Sequence, residues 1–421
     1  HDPMSGFTAL APFRTRSFRF QWPADLCTAW ALEMETLILG WYVLVESGSV
    51  VLLTVFGALQ FVGTLVSPVI GVLGDRLGLR NVLAGMRVCY AIFASVILFM
   101  ALTGQLTPML VLAVAAMSGM VRPTDIGMRS ALVGATVPPV HLVAAMGIAR
   151  TTQDSARIGG ALAGAGFMAA FGMAPAYMVI TGIYVVGALL TLLIDGQAAP
   201  RAAAAKAHAG VGRPSPWRDL KEGLVYVWRT PRLLAAMSLA ALVNLTAFPL
   251  SGGLMPYIAR DVFHLNQQGL GWMVASFASG ALIGSLSLSL FGSRVRPARA
   301  MLVTSFVWYL ALIGFALSTS LPVAMALLMC AGMAQSLSML TLSILLLRTS
   351  EERFRGRIMG VRMLAIYTLP LGLLIAGAMI PSIGFQATAL IMVLTGLLLA
   401  VWIAVAWREH LVRLDAVGNS R

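Results

Sequence analysis

The sequence predicts an all-α integral membrane protein, with twelve transmembrane helices in two pseudo-symmetric six-helix bundles. Three observations carry this. Of 421 residues, 59% are hydrophobic and only 11% are charged, and the mean hydropathy is +0.88. A soluble domain carries about 25% charge. The apolar residues fall in long runs, and about 20 of them in sequence cross a hydrocarbon core. The bases gather in the connections between those runs, on one side far more than the other. The 41 glycines fit the same class, because small residues let membrane helices approach closely.

The runs fall at 21–45, 50–73, 81–103, 107–134, 141–171, 174–194, 233–258, 267–292, 300–319, 322–347, 357–381 and 384–407. The first follows Arg14, Arg16 and Arg19 in an N-terminal segment of residues 1–20. The second and third flank a short loop holding Arg76 and Arg80. The sixth and seventh are separated by residues 195–232, with Arg201, Lys206, Arg213, Arg218 and Lys221. Arg294, Arg296 and Arg299 separate the eighth from the ninth, and Arg348, Arg353, Arg355 and Arg357 the tenth from the eleventh. Arg408 and Arg413 mark the 408–421 tail. The opposite side holds only Arg260, beside Asp261. This asymmetry places both termini in the cytoplasm of a bacterial inner membrane. No cleavable signal peptide is expected, since the Arg-rich start runs directly into a span.

A net charge of +13 and a pI of 10.6 would point to nucleic acid in a soluble protein. Here the bases follow the positive-inside pattern, so membrane lipid and not nucleic acid is the expected partner. Cys27, Cys89 and Cys330 each lie inside an apolar run, without metal-ligand spacing, and read as small buried hydrophobes.

Within the central connection, residues 197–212 are Ala-rich and show no apolar period. Then Trp217–Trp228 places Leu220, Leu224, Val227 and Trp228 at helical spacing, which predicts an amphipathic helix lying at the membrane surface. The halves echo each other. Phe56–Gly63 precedes the first Arg loop, and Ser276–Gly284 precedes Gly292-Ser-Arg-Val-Arg296. A repeat of this kind implies a substrate site near the bilayer midplane.

The loop Gly71-Val-Leu-Gly-Asp-Arg-Leu-Gly-Leu-Arg80 resembles the loop signature of the major facilitator superfamily, Gly-x-x-x-Asp-Arg/Lys-x-Gly-Arg/Lys-Arg/Lys. It departs at Leu79, where the family usually carries a base. Arg355-Gly-Arg-Ile-Met-Gly360 is similar to a signature of the enterobactin-exporter-like branch, and Trp217–Trp228 to that branch's segment before the seventh helix. Asp154–Gly164 resembles the branch's fifth helix, except that Gly159-Gly160 stands where antiporters usually carry Gly-Pro. The resemblance implies a secondary transporter working by alternating access. It also implies that Asp75, with Arg76, Gly78 and Arg80, forms a latch on the cytoplasmic side, a carboxylate there favouring a helix N-terminus.

Ionisable side chains inside spans cost about 2.5–3.5 kcal/mol each on insertion scales and are functional candidates. Asp25, Glu33 and Glu35 fall in the first span. Glu33 and Glu35 point about 200° apart on a helix, so only one faces a cavity squarely. Asp25 and Glu33 lie about 80° apart. Desolvation favours the neutral form of a carboxylate in general, which suits proton carriage. All three are candidates for proton coupling, Glu33 slightly ahead, and for Glu33 or Glu35 pairing with an arginine of the fourth span is the competing reading. Arg122, Asp125 and Arg129 share one face of the fourth span, and Arg150, Asp154 and Arg157 one face of the fifth. Facing ladders of alternating sign would satisfy each other, a structural role for Arg129, Arg150 and Asp154. Arg122 lies deeper, just before Pro123, and is the candidate for contacting an anionic group. The second half offers Arg362 and a set of polar and aromatic side chains. Asn244, Tyr257, Trp308 and Gln335 are its substrate-binding candidates, and Trp272, Tyr309 and Tyr367 serve equally as cavity lining or interfacial anchors.

No phosphate-binding loop, metal cluster or nucleophile elbow occurs, so neither enzyme activity nor a cofactor is expected. The expected function is proton-coupled export of a small amphipathic compound, siderophore-like or drug-like, by a monomer. An importer or a lysolipid flippase on the same fold is the first alternative, and a non-transporting receptor or scaffold the second.

Overall fold

A computed structural model describes residues 10–64, 77–194, 216–291 and 295–413. Among them lie α1 Arg16–Ser47, α2 Val50–Leu59, α3 Leu79–Leu102, α4 Pro108–Thr136, α5 Leu142–Phe171, α6 Met173–Leu192 and α7 Pro216–Arg229. The remainder are α8 Pro231–Thr246, α9 Gln267–Phe291, α10 Pro297–Leu317, α11 Leu321–Thr349, α12 Arg355–Ile366, α13 Thr368–Ile383 and α14 Phe385–Ala406. Nine helices among the described residues are long and apolar enough to cross a membrane, with α12 and α13 forming one of them. Val50–Thr64 and Pro231–Thr246 are shorter apolar helices. The remaining predicted span is α5, whose 30 residues carry Arg150, Asp154 and Arg157. The chain is an all-α, multi-pass membrane protein.

Local chemistry explains where the helices begin and stop. Thr107 caps α4, its hydroxyl accepting from the Leu110 N–H at 3.3 Å, and Pro108 occupies the first helical position. Gly172 joins α5 to α6 at φ 84°, and Gly384 joins α13 to α14 at φ 85°. Both are left-handed positions where a Cβ is penalised. They link the fifth to the sixth span and the eleventh to the twelfth, so the internal repeat is visible in backbone geometry.

The chain divides into two compact units, His1–Glu46 with Leu59–Arg213, and Ser47–Ala58 with Pro214–Arg421. The first is closed by α1 and α3–α6. Its apolar core includes Val82, Leu83, Met86, Met128, Leu132 and Ile194, beside a second cluster of Phe18, Val133, Val137 and Ala145. In the second unit α9 and α11 press their glycines onto each other's backbone. A Cβ on Gly280 would strike the Met329 carbonyl, and one on Gly332 the Phe277 carbonyl. Gly280→Val is therefore expected to destabilise this unit by about 1–3 kcal/mol, as overpacking does. A thermal melt in detergent checks it, and an unchanged midpoint would refute the close packing.

Several boundaries differ from expectation. The first helix runs back to Arg16, so only the start of the 1–20 segment precedes it. The second span loses α-helical geometry after Leu59, and residues 50–58 group with the second unit. There Gly57 approaches Leu373, and the position of a Gly377 Cβ is taken by Thr54. The span expected over 233–258 breaks after Thr246 into two short turns and a π-turn, Ile258–Val262. Pro249 and Pro256 lack the N–H that a continuous helix needs, and Gly252-Gly253 lowers the cost of the break. The eleventh span is likewise interrupted at Tyr367.

Candidate functional site

The first unit buries two distinct polar clusters. The larger runs through five helices. Asp25 of α1 accepts from Arg87 Nη2, and Gln21 Nε2 donates to it at 3.4 Å. Arg87 of α3 donates through Nη1 to Thr191 Oγ1 of α6 at 2.7 Å, and its Nε lies 3.7 Å from Asp125 Oδ2 of α4. Asp125 Oδ1 accepts from Arg129 Nε at 3.0 Å and Nη2 at 2.5 Å. Arg129 Nη1 reaches Gln153 of α5 at 2.8 Å, and its carbonyl accepts from Gln21 at 2.9 Å. Two carboxylates and two guanidiniums balance in charge. With Arg87 wholly buried, these pairs oppose the cost of desolvation, while Gln21 Oε1, Arg87 Nε and Asp125 Oδ2 make no hydrogen bond among the described residues.

The smaller cluster holds Glu35. This side chain is buried, and its Oε2 accepts from the Tyr184 hydroxyl of α6 at 2.5 Å. Tyr177 lies seven residues before Tyr184 on the same helix face, close enough to act on the carboxylate. Arg122 stands nearby on α4, donating to Gln60 Oε1 and, at 3.0 Å, to Thr36 Oγ1. Its charge acts on Glu35 without a direct hydrogen bond between them. Glu33 is half-buried and turns to the seam between α1 and α5, where a Cβ on Gly160 would come within 2.7 Å of its own Cβ. Gly164 likewise packs on Met34, where a Cβ would lie 3.0 Å from its Cα. The Gly-rich stretch of α5 thus serves close packing against the helix that carries both acids.

The sequence candidates divide accordingly. Asp25, offered as a proton carrier, is taken up by Arg87 in the larger cluster. Its partner sits on the third span. Within each expected ladder there is a pair along the helix, Asp125 with Arg129 and Asp154 with Arg150 at 3.2 Å. The reason is the i,i+4 spacing, which brings each pair together without help from a neighbour. Arg157 is half-buried on the same helix. Gly78 opens α3 at φ 92°, and Arg80 caps α6 by donating to the Ile194 carbonyl at 3.1 Å, a favourable charge for a helix C-terminus. Asp75 and Arg76 lie outside the described residues.

In the second unit, Trp308 is wholly buried, donates to Ser251 Oγ at 3.2 Å and meets Phe248 edge-on at 4.9 Å. It therefore fills a helix joint and does not line a cavity, a correction to its reading as a binding residue. Asn244 is buried and donates to the Ala240 carbonyl at 2.8 Å, satisfying its own helix. Gln335 is buried, and Tyr257 is half-exposed beside Phe385. Tyr309 bonds Thr246 at 2.7 Å, and Arg362 donates to Ser343 Oγ at 2.6 Å.

Sequence reasoning passed over Arg87, Gln21, Gln60, Tyr177 and Tyr184. For Arg87 the signal was present, since the rule on charges inside spans applies to it directly. For the tyrosines no local pattern existed, because Glu35 lies far back along the chain, 149 residues from Tyr184.

Comparison with known proteins gives a consistent picture. The sequence model described as Major Facilitator Superfamily matches residues 26–251 and 237–416. Over 186 residues the chain is 32% identical to the multidrug efflux pump Tap of Mycobacterium tuberculosis, covering 42% of this chain and 43% of that protein. The match thus spans less than half of that relative's length. It is 24% identical over 306 residues to macrolide efflux protein A of Streptococcus pyogenes, covering 68% of this chain and 71% of that one. In fold, the chain is similar to a bacterial homologue of the human lysosomal transporter Spinster, solved inward-facing and unoccupied. The TM-score is 0.70 over 99% of both chains, at 13% identity. The nucleoside transporter NupG matches at a TM-score of 0.67 and 16% identity, over 92% of this chain and 98% of that one.

Proposed function

The chain belongs to the Major Facilitator Superfamily, and from that premise we propose that it exports a small amphipathic, drug-like compound, driven by proton exchange at Glu35. The distribution of bases supports placing both termini in the cytoplasm. One observation carries the choice of residue. Among the described residues, the buried aspartates of the first unit, Asp25, Asp125 and Asp154, each pair with an arginine, whereas Glu35 pairs with a tyrosine. Protonating a carboxylate that is bonded to arginine strands a buried cation, at a cost of about 3–5 kcal/mol. Protonating Glu35 strands only a hydroxyl, which can rotate to another acceptor. Glu35 is thus the acid that changes charge most cheaply.

Arg122 is the natural relay. It stands on the neighbouring helix, held by two neutral acceptors, Gln60 and Thr36. When Glu35 is protonated, Arg122 rests on its two neutral acceptors; when substrate displaces the proton, the ionised carboxylate draws Arg122 towards itself, so proton and substrate alternate at this site. The drug-like class is supported by the names of the two efflux relatives, one multidrug and one macrolide. An amphipathic compound also fits a second unit whose spans hold few charges.

Accumulation of macrolides and other amphipathic drugs in cells deleted for their own exporters tests this reading. Cells producing the protein are expected to accumulate several-fold less of at least one compound. Greater accumulation would overturn export in favour of uptake, and no change across the panel would overturn the drug-like substrate class.

A further inference from the structure

The helix before the second half carries two faces with separate tasks. On one, α7 is clamped to α12. Asp219 and Glu222 both pair with Arg357, at 3.1 and 2.9 Å. Tyr226 stacks on Phe354 at 4.3 Å between centroids, and its hydroxyl accepts from the Glu351 N–H at 3.2 Å. Gly223 lets the helices touch, since a Cβ there would lie 2.9 Å from the Arg357 carbonyl oxygen, and Val227 is buried on the same side. At 100° per residue these positions centre on one side of the helix, and Trp217, Lys221, Leu224, Val225 and Trp228 centre on the other. The expected apolar face, Leu220, Leu224, Val227 and Trp228, is thereby corrected, because Val227 belongs to the clamped side.

The free face has a distinctive composition. Trp217 is 78% exposed and Trp228 73%, with Leu224 and Val225 also exposed between them. Lys221 is exposed on this face, and Arg229 is exposed at its edge, about 100° round from its centre. Asp219 and Glu222 turn to Arg357, Glu222 also holding the exposed Arg218, while Lys221 and Arg229 stay outward. A single residue, Thr230, separates α7 from α8, a helix of the membrane-embedded set. Trp228 therefore lies within one turn of the start of α8, at the boundary between the polar connection and an apolar helix. Tryptophan favours that boundary, where its ring is apolar and its N–H stays wet. Bases beside it favour a negative surface, at about five-fold in affinity for each one.

We propose that this face of α7 is a binding surface for anionic phospholipid headgroups, with Trp217 and Trp228 seated among the lipids and Lys221 and Arg229 on the phosphates. The clamp to α12 holds the face ready-made, so binding costs no folding of the helix. This surface is independent of the transport reading, and its test does not measure transport.

Native mass spectrometry of the full-length protein, titrated with phosphatidylglycerol or phosphatidylcholine of the same acyl chains, provides that test. The wild type is expected to retain phosphatidylglycerol preferentially. The double variant Lys221→Gln/Arg229→Gln should lose about 25-fold in that preference, at about five-fold per base. Trp217→Ala/Trp228→Ala should weaken retention of both lipids. Equal retention of the two lipids by the wild type, or an unchanged preference in Lys221→Gln/Arg229→Gln, would overturn the proposal. So would a dimer that the tryptophan variant dissolves, since the face would then belong to a second copy of the chain.

Discussion

Replacing Glu35 by glutamine is expected to abolish the pH dependence of efflux and to return drug accumulation to that of cells without the protein. The amide keeps the shape and still accepts from Tyr184, which donates at 2.5 Å, but it cannot release a proton. Fold and packing survive the change, so the loss is one of coupling. Glu33→Gln is expected to leave the pH dependence in place, because that side chain lies at the seam with α5. Tyr184→Phe gives a graded version of the same test. The hydroxyl bonds the ionised carboxylate, and such a bond to a charged group contributes about 1.5–3 kcal/mol. At 1.36 kcal/mol per pH unit, its loss should move the midpoint of the pH–rate profile up by about 1–2 units. The direction follows because removing a donor to the anion favours the protonated form. A profile that moves down, or does not move, would contradict the assignment.

The second large effect concerns stability. Arg87→Met is expected to cost about 3–5 kcal/mol, since it leaves Asp25 and Asp125 buried without their shared cation. For a unit of this size that corresponds to a fall of about 10 °C in melting temperature. Asp25→Asn should cost less, because Arg87 keeps Asp125 and Thr191 as partners. A thermal melt of the purified protein in detergent measures both. Equal melting of Arg87→Met and wild type would show that the five-helix cluster is not what holds the first unit.

The fold was legible because hydropathy is additive along the chain. Each span announces itself within its own 20 or so residues, and the repeat in Gly-rich segments marks the halves. The interruptions near Pro249 and Pro256 had a local signal too, in residues that cannot continue a helix. The site was legible only as a set of candidates. Periodicity shows that Glu33 and Glu35 face apart, but which one is buried depends on Tyr184, on a helix that reaches α1 only through tertiary packing. Arg87 was hidden in a different way. A single base in an apolar run barely alters a hydropathy average, yet inside the bilayer it anchors two acids. For α7 the pattern of apolar residues was correct in period and in Leu224 and Trp228, which stay exposed, and failed at Val227, which is buried on the clamped side. Asp219 and Glu222 turn towards Arg357, a residue 138 positions beyond Asp219, and that pairing decides which face is covered.

The central claim is that Glu35 gives up a proton when substrate binds, and proton release by the purified protein measures it most directly. A compound identified by accumulation is added to lightly buffered protein in detergent, and a pH dye follows the solution. By linkage between the two sites, wild type and Glu33→Gln are expected to release about one proton per substrate bound, at pH below the midpoint of the rate profile. Glu35→Gln is expected to bind without releasing any. Undiminished release from Glu35→Gln, or none from the wild type, would contradict the account.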